Sequence, residues 1–572
     1  MKKEEVSAIL EEISFLLELK GENPFKVRAY YNAARAIKGL ERSLEEVVRQ
    51  GELRRIKGIG EALSKKISQL VTTDHLPYYE ELKTTVPAGL REMVRIPQLG
   101  PKKAKAIYEK LGITTIGELE YACHENRLKD IPGFGAKTQE NILRGIELLK
   151  RYQGRFLYGD VVALAEQFTR SVAGVKGVLK ASLAGSMRRR NEVVKDIDLV
   201  VAVRDGGAIG EGLISLPQIE EVIAQGEMEI RVRLSSGIPA DLRMVSLKEF
   251  PFALHHLTGS KEHNIAVRGR AKKMGMKINE YGLFVGGKSI PCQGEEDIYR
   301  ALGLDFIPPE LREGRGEVEA AAEGKLPDLL DAADIKGTFH VHTASSDGSN
   351  SISGLAEEAQ RLGLGYLGIT DHSRSAAYAG GLKEGALKKQ LKEIDELNRA
   401  YKGFRIFKGI EMDILPDGSL DYGAEVLTGF DFVIGAIHSH FQMGEKEMTQ
   451  RIIRAMETRR LTIFAHPTGR LLLAREPYQM DIEAVIAAAS RRGVVLELNA
   501  NPHRLDLDWR WLKYAKDHGV RISINPDAHN LQGLQDIFIG VGIARKGWLE
   551  YRDVINTMEA GAVARFLADA QG

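Results

Sequence analysis

Cysteine is nearly absent: the 572 residues contain two, Cys123 and Cys292, far apart and in no metal-type spacing. This excludes a disulfide framework and a cysteine zinc site, and leaves both as packing residues. Long apolar runs are missing too. No stretch approaches the roughly 18 apolar residues of a membrane span. Met1 to Glu22 is charged throughout with no uninterrupted apolar core, so a cytoplasmic protein with no membrane partner is expected. Biased tracts are also lacking, and 43% hydrophobic with 28% charged residues excludes disorder, collagen-like repeats and a long coiled coil. At about 100 to 200 residues per domain the length predicts three to five folded domains.

A net charge of +1 conceals an asymmetry. Residues 1–310 hold 48 Lys and Arg against 42 Asp and Glu, and residues 311–572 hold 32 against 37. Five histidines fall in the first part and nine in the shorter second part. The first half is therefore the candidate for binding a polyanion, and the second the candidate for metals.

The first 150 residues read as short helices joined by glycine turns, and one pattern occurs three times. Arg55-Ile56-Lys57-Gly58-Ile59-Gly60 precedes a lysine-rich helix. Arg95-Ile96-Pro97-Gln98-Leu99-Gly100 precedes Pro101-Lys102-Lys103-Ala104, and Asp130-Ile131-Pro132-Gly133-Phe134-Gly135 precedes Ala136-Lys137. Each is an apolar residue, a turn with one or two glycines, and a helix start. Backbone N–H groups and a positive helix end then point outward, which suits a phosphate oxygen without reading a base. The three resemble helix-hairpin-helix motifs, with Gly58, Gly60, Gly100, Lys102, Lys103, Gly133 and Gly135 as the DNA-binding residues.

From about residue 155 strands take over. Lys180 to Ala184 leads into Gly185-Ser186-Met187-Arg188-Arg189, and Asp196-Ile197-Asp198 opens a β-branched run. Glu229 to Leu234 and Ala240 to Val245 complete an expected antiparallel sheet. Asp196 and Asp198 share one face of their strand, and Asp241 on a neighbour is placed to complete a trio. Three adjacent carboxylates repel one another unless divalent cations lie between them. Two Mg²⁺ or Mn²⁺ ions held this way bind a triphosphate and lower the pKa of an attacking 3′-hydroxyl. The Gly-Ser turn offers backbone N–H groups to phosphate, and the arginines offer positive charge.

Gly185-Ser186-x-Arg188-Arg189 followed by Asp196-x-Asp198 resembles the signature of family X DNA polymerases, the group of DNA polymerase beta. Leu257-Thr258-Gly259-Ser260, Asn264, Arg268 and Asn279-Glu280-Tyr281 resemble its nucleotide-binding thumb. The resemblance spans about residues 1–310. It implies that Asp196 and Asp198 hold both metal ions and that Asp241 binds the catalytic one. It further implies that Gly185, Ser186 and Arg189 meet the triphosphate, and that Gly259, Ser260, Lys261, Asn264 and Arg268 form the nucleotide pocket. His256 and Leu257 stand where an aromatic pair is usual, and Lys261 replaces an acidic residue, which is closer to bacterial members and leaves sugar discrimination open. Lys66 matches the Schiff-base lysine of the family's sugar-phosphate lyase domain.

The second half alternates regularly. Apolar runs at 337–341, 365–370, 404–410, 430–437, 461–465, 493–498 and 520–526 are separated in five of six gaps by helical stretches, which predicts a parallel α/β barrel. Six runs end in ligand-type residues: His340-Val341-His342, Asp371-His372, Glu411, His438-Ser439-His440, His466 and Asp527-Ala528-His529. The C-terminal strand ends of such a barrel meet on one rim. Imidazole and carboxylate without cysteine suit Zn²⁺, Mn²⁺ or Fe²⁺. The set resembles the PHP (polymerase and histidinol phosphatase) superfamily, and that resemblance implies two to three ions. His340, His342, Glu411 and Asp527 hold one, Glu411 bridges to a second with His438 and His466, and Asp347, His372 and His529 hold a third. His440 and Asp371 are expected as supports of the ligands, His503 and His518 as bystanders, and Arg470 and Asn499 as rim contacts to the phosphate.

The resulting expectation is a multidomain chain. Residues 1–80 form a helical DNA-binding (lyase-like) domain, and 81–150 helix-hairpin-helix fingers. An α+β nucleotidyltransferase palm (151–246) and thumb (247–310) follow. Residues 311–335 are a linker, within a Pro- and Gly-rich stretch from 306, and 336–572 form a distorted seven-stranded, TIM-like PHP barrel. The expected activity is gap filling on gapped or nicked duplex DNA from deoxynucleoside triphosphates, by a monomer, in base excision repair. The barrel adds a 3′ to 5′ exonuclease and, as open possibilities, 3′-phosphatase or abasic-site endonuclease activity. Two other readings stand beside it: a DNA-end-binding scaffold whose PHP domain alone is an enzyme, and a template-independent terminal transferase.

Overall fold

The computed structural model describes residues 3–571 apart from 39, 41, 57, 95, 97, 98, 130 and 205–208. Lys57, Arg95, Pro97, Gln98 and Asp130 of the three hairpins thus lie outside the described residues. The chain divides into two compact units, Met1–Leu149 and Lys150–Gly572.

The first unit is helical, built on short amphipathic helices that share one core. Local signals explain several ends. Thr115 caps the helix Ile116–His124 by accepting from the Glu118 amide, and Glu118 returns the bond, a reciprocal cap that satisfies two otherwise orphaned donors. The hairpin glycines take the expected form: Gly58 and Gly133 adopt φ of 95° and 89°, a region closed to most side chains. Between the paired glycines, Ile59 and Phe134 are buried, as is Leu99 before Gly100. Each turn is pinned by its apolar residue while the glycines stay exposed and face open space. Helices Glu61–Thr73, Pro101–Leu111 and Ala136–Gln153 start immediately after them.

In the second unit a five-stranded sheet runs in the order β1 (Val178–Leu183), β2 (Ile197–Val203), β5 (Pro239–Val245), β4 (Glu229–Leu234), β3 (Ile219–Gln225). It is mixed, not antiparallel throughout as expected: β2 and β5 pair in parallel, with Asp198 opposite Asp241. β3 is an exposed edge strand. Helices Phe250–Thr258 and Lys261–Lys273, three short antiparallel strands over 276–290 and helix Glu295–Ala301 form the thumb.

The segment expected as a linker is packed. Ile307, Leu311, Val318 and Ala321 belong to the thumb core. Arg312 is fully buried and donates to Glu295 and to the Ile307 carbonyl at 2.9 Å. Its Pro, Gly and charged residues mimic a linker in composition, but Glu310, Arg312 and Glu317 are buried against partners that composition does not show.

The remainder is a barrel of short buried parallel strands: β6 (Gly337–Thr338), β7 (Tyr366–Ile369), β8 (Arg405–Lys408), β9 (Glu411–Asp413), β10 (Ile434–Ala436), β11 (Ile463–Phe464), β12 (Val495–Asn499) and β13 (Ile522–Asn525). β8 lies within the expected run 404–410, and β9 is a further strand directly after it, so eight strands stand where seven runs were expected. Parallel bridges from Val341 to Ala528 and from His372 to Glu411 link the three-stranded and five-stranded parts. The intervening helices bury one face; Ile352, Leu355, Ala356 and Ala359 recur at helical spacing on the helix Ile352–Arg361. Among the described residues no helix is long and apolar enough to cross a membrane.

Candidate active sites

The parallel register of β2 and β5 puts Asp198 beside Asp241, with Asp196 just before β2. Burial first, then repulsion from Asp196 and Asp241, pushes the Asp198 carboxyl up to about 7. Burial also raises Asp241, offset by the Arg231 guanidinium 3.2 Å away. Gly185 sits against this trio at φ 58°, and a Cβ there would stand 1.8 Å from an Asp198 oxygen. Only glycine permits the helical turn Gly185–Arg188 to approach the carboxylates this closely. Asp198 and Asp241 open onto a cavity of 390 Å³ lined also by Arg243, His256, Leu257 and Tyr281.

The thumb residues gather around helix Lys261–Lys273. Ser260 caps it through the His263 amide at 3.2 Å, and Lys261 and Arg268 are exposed. Asn264 donates to the His256 carbonyl at 2.8 Å, while its Oδ1 is buried with no hydrogen-bond partner. Gly259 lies against Arg189, whose Nη1 would be 3.2 Å from a Cβ there. Arg189 itself donates to Glu313 at 3.0 Å and to the Thr258 carbonyl. Arg188 bonds Thr258 Oγ1 at 2.7 Å and Glu295 at 2.6 Å. The two arginines thus tie the turn to the thumb. In the first unit, half-buried Lys66 donates to the Tyr30 hydroxyl and lies 3.3 Å from the Tyr78 ring centre. Burial, and then Lys26, lower its pKa.

The barrel rim is denser. Glu411, at the start of β9, is nearly fully buried among five imidazoles. One oxygen lies 3.4, 3.4 and 3.2 Å from Nε2 of His340, His438 and His466; the other lies 3.6 Å from His342 Nε2 and 2.8 Å from His372 Nδ1. Asp527 stands 3.4 and 3.2 Å from Nε2 of His340 and His342. Asp347 stands 3.3 and 3.4 Å from Nε2 of His372 and His529. Within the 150–572 unit three groups have converging donor atoms: His340, His342 and Asp527; His342, Asp347, His372 and His529; and His372, Glu411 and His438. His342 and His372 each belong to two groups, so the clusters interlock more than the expected partition.

These contacts fit metal ions. Two ligand atoms bound at about 2.1 Å to one tetrahedral ion lie about 3.4 Å apart, and most of the nitrogen–oxygen separations fall at 3.2–3.6 Å. His340 Nε2, both His342 ring nitrogens, Asp347 Oδ2 and Glu411 Oε2 are buried without a hydrogen bond. Polar atoms this well buried call for a partner, and a cation supplies one to the carboxylate oxygens and to the unprotonated imidazole nitrogens.

Two functional carboxylates escaped the sequence reading. Glu497, fully buried on β12, accepts from His340 Nδ1 at 2.7 Å, the His466 amide at 2.7 Å and Asn525 at 2.9 Å. Asp413 accepts from His438 Nδ1 at 2.6 Å. Such partners fix ring orientation and leave Nε2 for a metal. An acid inside the apolar run Val495-Leu496-Glu497-Leu498 was the available signal. Asp371, as expected, is a support: it binds Thr343 at 2.7 and 2.8 Å and holds the loop carrying Asp347. His440 is instead exposed and in none of the groups. Arg470 is buried against the Arg504 carbonyl (2.9 Å), Asp508 and Glu192, so it does not face the rim. Asn499 is buried too, donating to Glu497 and to Asp527 at 3.0 Å. His503 and His518 lie outside the groups; His518 bonds the Tyr514 carbonyl at 2.8 Å.

Four stretches of the chain match known domain families. Residues 1–76 match the helix-hairpin-helix domain, 90–147 the SAM-like helix-hairpin-helix tandem, 253–313 the DNA polymerase beta thumb and 338–501 the PHP domain. The chain is 40% identical over 571 residues, 99% of both chains, to the DNA polymerase/3′-5′ exonuclease PolX of Bacillus subtilis (strain 168). It is 24% identical to the DNA polymerase lambda of Rattus norvegicus over 49% of this chain and 52% of that one. A probable phosphatase of Syntrophotalea carbinolica is 32% identical over 28% of this chain and 64% of its own.

Proposed function

The chain belongs to the family X DNA polymerases that carry a PHP domain, and from that membership we propose a DNA polymerase that fills short gaps in repair and removes nucleotides from 3′ ends. The observation that carries the polymerase reading is the pairing of Asp198 with Asp241 against Gly185. Asp196, Asp198 and Asp241 are the residues to hold two Mg²⁺ or Mn²⁺ ions, which supply positive charge for the triphosphate and acidify the primer 3′-hydroxyl. The chain's own groups do the rest. Backbone N–H groups of the Gly185–Ser186 turn receive phosphate oxygens, Arg189 adds charge, and Gly259, Ser260, Lys261, Asn264 and Arg268 border the nucleotide. Exposed glycine turns with Lys102 and Lys103 grip the duplex backbone.

The rim cluster supports phosphoester hydrolysis, with His340, His342, Asp347, His372, Glu411, His438, His466, Asp527 and His529 holding two or three Mn²⁺, Zn²⁺ or Fe²⁺ ions. Glu497 and Asp413 keep His340 and His438 turned toward them. Its main reaction is 3′ to 5′ exonuclease cleavage, and the same chemistry extends to 3′-phosphates and abasic sites. The substrate is gapped or nicked duplex with deoxynucleoside triphosphates, and the protein acts as a cytoplasmic monomer in base excision repair.

Primer extension on a short-gapped duplex, beside single-stranded DNA, tests this. Extension that stops at the far side of the gap is expected. Template-free growth of the single strand would make the chain a terminal transferase, and no extension on either would leave a scaffold with one enzyme.

A second reading rests on Lys66. Its cradle of Tyr30 and Tyr78 and its lowered pKa favour the neutral, nucleophilic amine more than in an ordinary surface lysine. Attack on a 5′-deoxyribose phosphate then gives a Schiff base that borohydride traps. An adduct of equal yield in Lys66→Ala would remove the lyase assignment.

A further inference from the structure

Every charged residue of the run Arg188 to Glu192, which continues from the Gly185 turn, is anchored to a distant segment. Arg188 binds Glu295 and Arg189 binds Glu313. Arg190 approaches Glu310 at 3.5 Å and packs over Gly542 of the barrel, where a Cβ would stand 2.2 Å from its Nη1. Glu310 also pairs with Arg545 at 2.8 Å. Glu192 faces Arg470 at 3.4 Å and Arg510 at 3.6 Å. The backbone beside the polymerase carboxylates is thus held from the thumb side at Arg188 and Arg189 and from the barrel at Arg190 and Glu192.

Lys546 is the centre of this contact. It ends the barrel helix Ile537–Lys546 and is only 1% exposed. Its ammonium donates to the Arg189 carbonyl at 3.0 Å, to Asn191 Oδ1 at 2.9 Å and to Glu313, and lies 4.6 Å from the Trp509 ring centre. The Glu313 oxygen it meets also accepts from Arg189 Nε. We propose that Lys546 of the PHP barrel is a positioning residue for the polymerase site, fixing the Arg189 backbone and sharing Glu313 with the Arg189 guanidinium.

The charge balance gives the reason. Arg189, Lys546 and Glu313 sum to one positive charge, and without Lys546 the half-buried Glu313 carboxylate neutralises Arg189 alone. Screening is weak at such depth, so the loss reaches a triphosphate beside Arg189. Asn191 and the Arg189 carbonyl also lose their donor, which loosens the end of the turn. This inference rests on Arg189 meeting the triphosphate, as proposed above.

Full-length Lys546→Met, Lys546→Met/Glu313→Gln, Asn191→Ala and Arg189→Gln test it by single-nucleotide insertion into a one-nucleotide gap, with thermal melting and 3′ to 5′ degradation of a single strand alongside. For Lys546→Met the nucleotide KM is expected to rise about tenfold, about 1.4 kcal/mol, with kcat and degradation near parental values. The double variant, lacking both the lysine and the carboxylate charge, regains most of that loss. Asn191→Ala, at a partly exposed site, shows the same direction at about threefold, about 0.65 kcal/mol, and decides the matter should Lys546→Met not fold. A raised KM in Arg189→Gln with parental KM in the folded Lys546 and Asn191 variants would overturn the inference alone. An unchanged KM in Arg189→Gln would overturn the triphosphate reading beneath it. Degradation falling in step with insertion would show a general structural defect and overturn the positioning role.

Discussion

Asp198 shows what single residues contribute. Its carboxyl titrates near 7, because burial and the neighbouring Asp196 and Asp241 disfavour the charged form. The unfolded chain releases that proton near the ordinary value of about 3.9, so between the two values the folded state binds more protons. Stability from this group is therefore present at low pH and declines as pH rises to about 7. Metal-stripped protein is expected to lose melting temperature from pH 5 to pH 8 more steeply than Asp198→Asn, and Mg²⁺ at pH 8 to recover the parent but not the variant. Equal slopes in calorimetric scans of both proteins would refute the raised value. The residue types of both centres were legible because chemistry limits the choice: carboxylates for hard cations, imidazoles at strand ends. Glu497 and Asp413 were not, since their role lies in hydrogen bonds to His340 and His438 that form only once distant strands meet.

At the scale of elements, legibility followed periodicity. The barrel runs were readable because parallel strands buried on both faces are continuously apolar and separated by amphipathic helices. Pairing partners were not readable. The parallel register of β2 with β5 joins strands separated by two others in sequence, and no local pattern encodes it. Strand β3 was missed because Glu220 to Gln225 are exposed, so no buried face imposes alternation. The segment 306–335 was misread for the opposite reason. Its charged residues resemble a solvated connector, yet Arg312 and Glu317 are buried and paired, with Glu295 and His263 respectively.

At the scale of the molecule, the 150–572 unit holds two metal-type centres whose scaffolds interpenetrate. Barrel residues Arg470, Arg510, Arg545 and Lys546 meet acids or carbonyls that flank the polymerase turn. Breaking buried pairs one-sidedly is costly, so excising the barrel perturbs the polymerase even if its chemistry is independent. Point substitutions inside each centre avoid this. The central claim is that two separate clusters act on different phosphate bonds, and the most direct measurement follows primer extension and 3′-end degradation in folded Asp198→Ala and His342→Ala proteins. Extension should vanish with degradation intact in the first, and the reverse should hold in the second. Loss of both activities in both proteins, with melting curves unchanged, would contradict the account.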